Sequence, residues 1–153
     1  MKRSLKMRES IPFMYANSIS AELMKSGDLD TAEHICLQAL ETKNVLFLGN
    51  PRTSKKVVAM NNGMLGNVYM LRNNFTEAEK YYEKALKLFL ELDSHSEGIG
   101  ITYSNLGAIY ELMGNLSEAM RCWTEARFVF SVIGDEWRSK LTDEWIKEIE
   151  DRL

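Results

Sequence analysis

One skeleton of residues occurs three times along the chain, and that repetition constrains the fold more than any single motif. The stretch from Leu65 reads LGNVYMLRNNFTEAEKYYEKA, and the stretch from Leu106 reads LGAIYELMGNLSEAMRCWTEA. The stretch from Ser18, SISAELMKSGDLDTAEHICLQA, is more diverged. Aligned on Gly27, Asn73 and Gly114, the copies lie 46 and 41 residues apart. Periods of this size mark stacked supersecondary units, none of which can bury its apolar face alone. The 153 residues are 45% hydrophobic and 27% charged, which is enough apolar surface for a packed stack. Only two prolines and nine glycines are present, too few turn residues for an all-β chain, so long helices are expected.

Each unit reads as two helices around its turn. Leu65, Tyr69, Ala78, Tyr82 and Ala85 fall at helical spacings on either side of Asn73, and Leu106, Tyr110, Ala119, Trp123 and Ala126 match them around Gly114. Glycine and asparagine enter the left-handed conformation that ends a helix at low cost. Gly66 and Gly107 sit inside helices, where glycine costs about 1 kcal/mol relative to alanine. They are expected where two helices approach closely, with Ala78 and Ala119 as the facing small residues; Ala39, Ala85 and Ala126 mark a second contact. Capping residues are expected at Asp30, Thr76, Ser94 and Ser117, the first three with a glutamate three positions on. Seven helices follow, at 8–25, 29–48, 54–72, 76–92, 95–113, 117–132 and 136–152, with the strong break at Gly49–Thr53. On the last helix, Trp137, Leu141, Trp145 and Ile149 recur every four residues, a stripe suited to covering the open end of a stack.

These residues resemble the tetratricopeptide repeat, whose pattern is an aromatic residue, Leu-Gly, Tyr, a turn glycine, then Ala, an aromatic and Ala. Tyr103, Leu106, Gly107, Tyr110, Gly114, Ala119, Trp123 and Ala126 fill it completely. Unit two departs at Asn62 and Asn73; unit one keeps Gly27, Ala32 and Ala39 but departs at Ala16, Ile19, Ser20, Leu23 and Cys36. The ordinary period is about 34 residues. The longer spacings here are similar to the extended repeats of kinesin light chains and of Rap-type bacterial regulators. The resemblance implies an all-α, right-handed superhelical stack of three units, about 8–48, 54–92 and 95–132, closed by a capping helix at about 136–152, all in one domain.

It also implies that the first helix of each unit lines a concave groove. Counted from Phe13, Ala59 and Gly100, the candidate peptide-binding residues are Met14, Asn17, Ala21 and Met24, then Met60, Met64, Asn67 and Met70, then Ile101, Asn105 and Ala108. Five of the nine methionines are among them. Methionine adapts to irregular apolar partners, and asparagine can donate to and accept from a peptide backbone at once. A methionine stripe serves a core equally well, so both roles stand open. The places where some repeats of this family carry cations for a terminal carboxylate hold Asn17, Ala21, Met64, Ile101 and Asn105, so no carboxylate clamp is expected. Lys25 and Arg72 sit at helix ends, where a solvated or dipole-complementing role is expected.

Signs of other chemistry are sparse. A net charge of −3 provides no basic field for nucleic acid or anionic membrane. No apolar run suits a signal peptide or a membrane span, and Cys36 and Cys122 form no metal or redox pattern, so a reducing cytoplasmic setting is expected. His34 and Cys36 do not share a helix face. Glu77, Glu79, Glu83, Asp143, Glu144 and Glu148 read as solvated faces, and Lys2, Arg3, Lys6 and Arg8 as a solvated basic start. The expectation is a non-enzymatic interaction module, without metal or cofactor, for a protein or peptide partner. A self-associating structural protein pairing through the stack ends, and a small secretion chaperone, are the alternatives.

Overall fold

The computed structural model describes residues 16–42 and 50–153. Among these lie seven helices: α1 Ala16–Lys25, α2 Leu29–Thr42, α3 Pro51–Leu71, α4 Phe75–Leu92, α5 Glu97–Leu112, α6 Leu116–Val132 and α7 Glu136–Glu150. The parts of the first two expected helices at 8–15 and 43–48 lie outside the described residues. Each helix packs on the next, and α1 also touches α3 while α3 touches α5. The first helices of the units therefore form an inner row, and the second helices lie outside it. The architecture is an all-α stack of helix pairs.

Four turns share one geometry. Gly27, Asn73, Gly114 and Gly134 all have φ between 58° and 82°. After each, the next residue's N–H reaches five positions back: Asp28 to Leu23, Asn74 to Tyr69, Asn115 to Tyr110 and Asp135 to Phe130. This closing pattern satisfies carbonyls that a helix end leaves free. That same next residue caps the following helix, Asp28, Asn74, Asn115 and Asp135 accepting from the N–H three positions on. The caps thus lie two residues before the expected Asp30, Thr76 and Ser117, because one left-handed residue is the whole turn. At α5 the cap position is Ser96, not Ser94, and its hydroxyl makes no capping bond. Helix α3 begins at Pro51 rather than at 54, with Asn50 as its cap; proline fits the first helical position because no N–H is needed there.

The close approaches inside each pair involve rings, not the facing alanines. A Cβ on Gly66 would lie 2.5 Å from the Tyr82 ring, and one on Gly107 would lie 2.3 Å from Trp123 Nε1. Trp123 fixes its ring further by donating to the Ser104 carbonyl at 3.1 Å. In unit one the equivalent places hold Ser20 and Cys36, both buried, with Cys36 Sγ 3.1 Å from Ser20 Oγ. A larger residue on the first helix is matched there by a smaller one on the second. Between units, Phe89 fills the space at Gly98.

A second device joins successive units. The Tyr69 hydroxyl donates to Glu33 Oε1, Arg72 Nη1 donates to Glu33 Oε2 at 2.5 Å, and Arg72 also pairs with Asp30. One unit later, Tyr110 donates to Glu79 Oε1 at 2.5 Å. Glu79 and Arg72 are therefore bonded between units, not merely solvated. Partial burial pushes the Glu33 carboxyl up, but the bonds from Tyr69 and Arg72 outweigh it and hold it below its ordinary value. The Glu33 acceptor, with partial burial, pushes the Tyr69 phenol up to about 12.

On α7 the buried residues are Thr142, Ile146 and Ile149, with Trp145 tilted against Trp123 at 5.6 Å. Trp137 is 71% exposed and is not part of the covering face. A strict four-residue row drifts by about 40° per step on a helix of 3.6 residues per turn. Trp137 is three steps from Ile149 and has turned away.

Two outcomes are expected. Gly107→Ala, which forces the buried Trp123 ring to move, lowers stability by about 1–3 kcal/mol. Gly63→Ala, where an added Cβ meets nothing within 4 Å, raises it by up to about 1 kcal/mol. Urea denaturation of the two variants checks both signs. The raised Tyr69 phenol predicts an alkaline effect. Its contribution is whole below the ordinary tyrosine range and is lost as pH rises towards about 12. The stability gap between the native chain and Tyr69→Phe should therefore narrow by about 1 kcal/mol from about pH 8 to about pH 11. A constant gap would show that the phenol proton is not linked to folding.

Candidate functional site

A cavity of about 500 Å³ opens on the inner row. One face of α3 supplies Arg52, Lys56, Met60, Gly63, Met64 and Asn67, at spacings that follow the helical turn. Helix α5 supplies Glu97, Gly98, Ile101, Thr102 and Asn105. Tyr82, Phe89 and Leu92 come from α4 behind, and Asp93 and Ser96 from the α4–α5 joint. The middle is apolar, with Met60 and Ile101 both exposed. One end is polar and neutral, at Asn67 and Asn105. The other carries charge.

At the neutral end, the buried Tyr82 hydroxyl donates to Asn67 Oδ1 at 2.6 Å, and Asn105 Nδ2 donates to the same oxygen at 3.2 Å. Burial pushes the Tyr82 phenol far above its ordinary value, so it stays a donor. At the charged end, Glu97 pairs with Arg138 at 2.9 Å, whereas Arg52 and Lys56 form no ion pair among the described residues.

Of the residues expected to bind, Met60, Met64, Asn67, Ile101 and Asn105 are brought together in this cavity. Met14 and the side chain of Asn17 lie outside what the structure describes. Ala21 and Met24, half-buried on α1, do not line it. Met70 instead packs behind, against the cluster of Ala78, Tyr82, Leu106, Ile109 and Cys122. Ala108 packs towards Ala119, Trp123, Ile146 and Ile149. These two positions turn from the open face into the helix seams. Asn61 and Asn62 are buried elsewhere on α3, their amides donating back to Val57 and Val58 carbonyls.

The sequence reading missed Arg52, Lys56 and Tyr82. The two cations precede Ala59, where the family count begins, although they continue the same helical face. Tyr82 was assigned to the repeat skeleton, and its hydroxyl reaches through to the cavity. The five places compared for a carboxylate clamp hold no cation; Arg52 and Lys56 lie outside them, at the charged end of the cavity. Cys36 and Cys122 are buried, and burial pushes both thiols up to about 11, away from nucleophilic reactivity. Among the described residues no three potential ligands cluster for a metal, and no helix is long and apolar enough to cross a membrane.

Comparison with known proteins agrees with this geometry. Residues 57–127 match the tetratricopeptide repeat family. No curated protein matches the chain. Among solved structures, that of BtubC (BKLC) from P. vanneervenii is similar over 92% of this chain, with a TM-score of 0.65 and 18% identity. The match spans 63% of that neighbour, and at this identity the likeness is one of fold. The helix pairs and left-handed turns agree with that match: residues 57–127 carry the tetratricopeptide repeat, and the likeness to the solved neighbour extends the same fold over most of the chain.

Proposed function

We propose that the chain is a non-enzymatic protein-interaction module, an adaptor or regulatory subunit that takes a segment of a partner protein into the cavity between α3 and α5. The observation that carries this reading is the lining itself. Methionines and an isoleucine form an adaptable apolar middle, and two asparagine amides offer backbone hydrogen bonds at one end. In this reading the site lies at the junction of units two and three.

A second reading is favoured by a different surface. Phe128, Val132, Ile133 and Trp137 are all exposed around the α6–α7 turn. Large exposed apolar side chains grouped in this way suit contact between copies of the chain. Trp145, packed on Trp123, is not available for it.

Affinity capture from the source cell's lysate tests both. The native chain is compared with a Met64→Glu, Asn67→Asp double variant and with Trp137→Glu. Loss of partner proteins by about tenfold or more in the double variant alone is the expected result, since it removes apolar contact and introduces a charge into the cavity. Recovery of the chain itself, lost only with Trp137→Glu, would transfer function to the α6–α7 surface.

A further inference from the structure

The following rests on the cavity reading above and deepens it. Tyr82 is fully buried, and the oxygen acceptor for its proton is Asn67 Oδ1 at 2.6 Å; the Met70 sulfur, at 3.8 Å, is a poor alternative. This bond turns the Asn67 carbonyl inward. Asn105 follows, because its NH₂ group donates to that same oxygen. What remains to face the cavity is the Asn67 NH₂ group, whose neighbour is the Met64 sulfur at 3.8 Å, and the Asn105 carbonyl oxygen. One donor and one acceptor side by side complement one peptide unit.

A helical partner cannot use them well, since its own N–H and C=O groups bond to each other. An extended partner leaves both groups free. At the other end, Arg52 and Lys56 form no ion pair among the described residues, Glu97 is bonded to Arg138, and Asp93 accepts the His95 N–H at 3.4 Å. Among the described residues these two cations face one carboxylate, Asp93, that no cation pairs, which makes that rim attractive to acid.

We propose that Tyr82 is a positioning residue that fixes the Asn67–Asn105 pair to grip one peptide unit of an extended, acidic partner segment, whose carboxylate meets Arg52 and Lys56. Lys56 and Arg52 lie 11 and 15 positions from Asn67, or about 16–22 Å along α3. An extended strand covers that distance in about five to seven residues.

The test uses the whole chain and two libraries of short random peptides, one with proline at every third position and one stapled into helices. Selected binders are measured by fluorescence anisotropy. Binders are expected from the proline-interrupted library, rich in Asp and Glu. Tyr82→Phe should weaken them about tenfold, with the chain still folded and its melting temperature lowered by only a few degrees. Methylating the gripped backbone nitrogen should weaken binding to the native chain, and make no further difference to Tyr82→Phe. Asn105→Asp provides a second variant with the same expected loss if Tyr82→Phe does not fold. Arg52→Glu with Lys56→Glu should weaken the acidic binders. Binders from the helical library alone, or binders indifferent to both Tyr82→Phe and Asn105→Asp, would overturn this inference and leave the cavity as the site. No binder from either library would overturn the cavity reading as well.

Discussion

In units two and three, the missing side chain on the first helix and the ring on the second fix how far apart the two helices sit. Gly66 receives Tyr82, and Gly107 receives Trp123. Because interiors are packed to crystal-like density, neither partner of such a pair can change volume alone. Unit one obeys the same constraint with different residues, Ser20 against Cys36. Its departure at these two places is thus one coupled exchange rather than two losses. The exchange also removes the ring hydroxyl, which is what unit two adds to the groove.

Stacking then depends on two devices, one inside each turn and one between neighbouring units. A single left-handed residue reverses the chain, and the next residue caps the following helix. A tyrosine on each later first helix reaches the glutamate on the preceding second helix, as Tyr69 does to Glu33 and Tyr110 to Glu79. Each bond engages a charged acceptor, which makes it stronger than a neutral one. Units related in this way form a quasi-one-dimensional array in which neighbours set each other's orientation.

Most of this was legible in the sequence because it is written in spacing. The turn residues, the paired helices and the buried alanines repeat at fixed offsets. What was not legible depends on direction rather than period. Glu79 and Glu33 look like Glu77 in a string of letters, yet two of the three accept tyrosine hydroxyls from the next unit. Trp137 fits a four-residue row, but the row drifts off the helix seam. Asn61, Asn62 and Asn67 share one helix, and only Asn67 opens on the cavity; the other amides turn back on their own backbone. For the candidate site, the family frame found the middle and the neutral end. It missed the cations because a repeat pattern describes the conserved skeleton and stops short of the lengthened start of α3.

That lengthened start is what places the cavity where it is. Helix α3 extends back to Pro51, well before the first residue of the repeat pattern. Its extra turns run past the α4–α5 joint and carry Arg52 and Lys56 to the level of Asp93 and Glu97. A unit of the ordinary period would lack these turns, and the apolar stretch of Met60 and Met64 would open directly to solvent at that end. The departure from the usual repeat length therefore supplies a charged rim, while Tyr82, part of the ordinary skeleton, supplies the order at the opposite end. The two ends of the cavity thus differ in origin: one rests on a feature the repeat shares and the other on one that this chain adds.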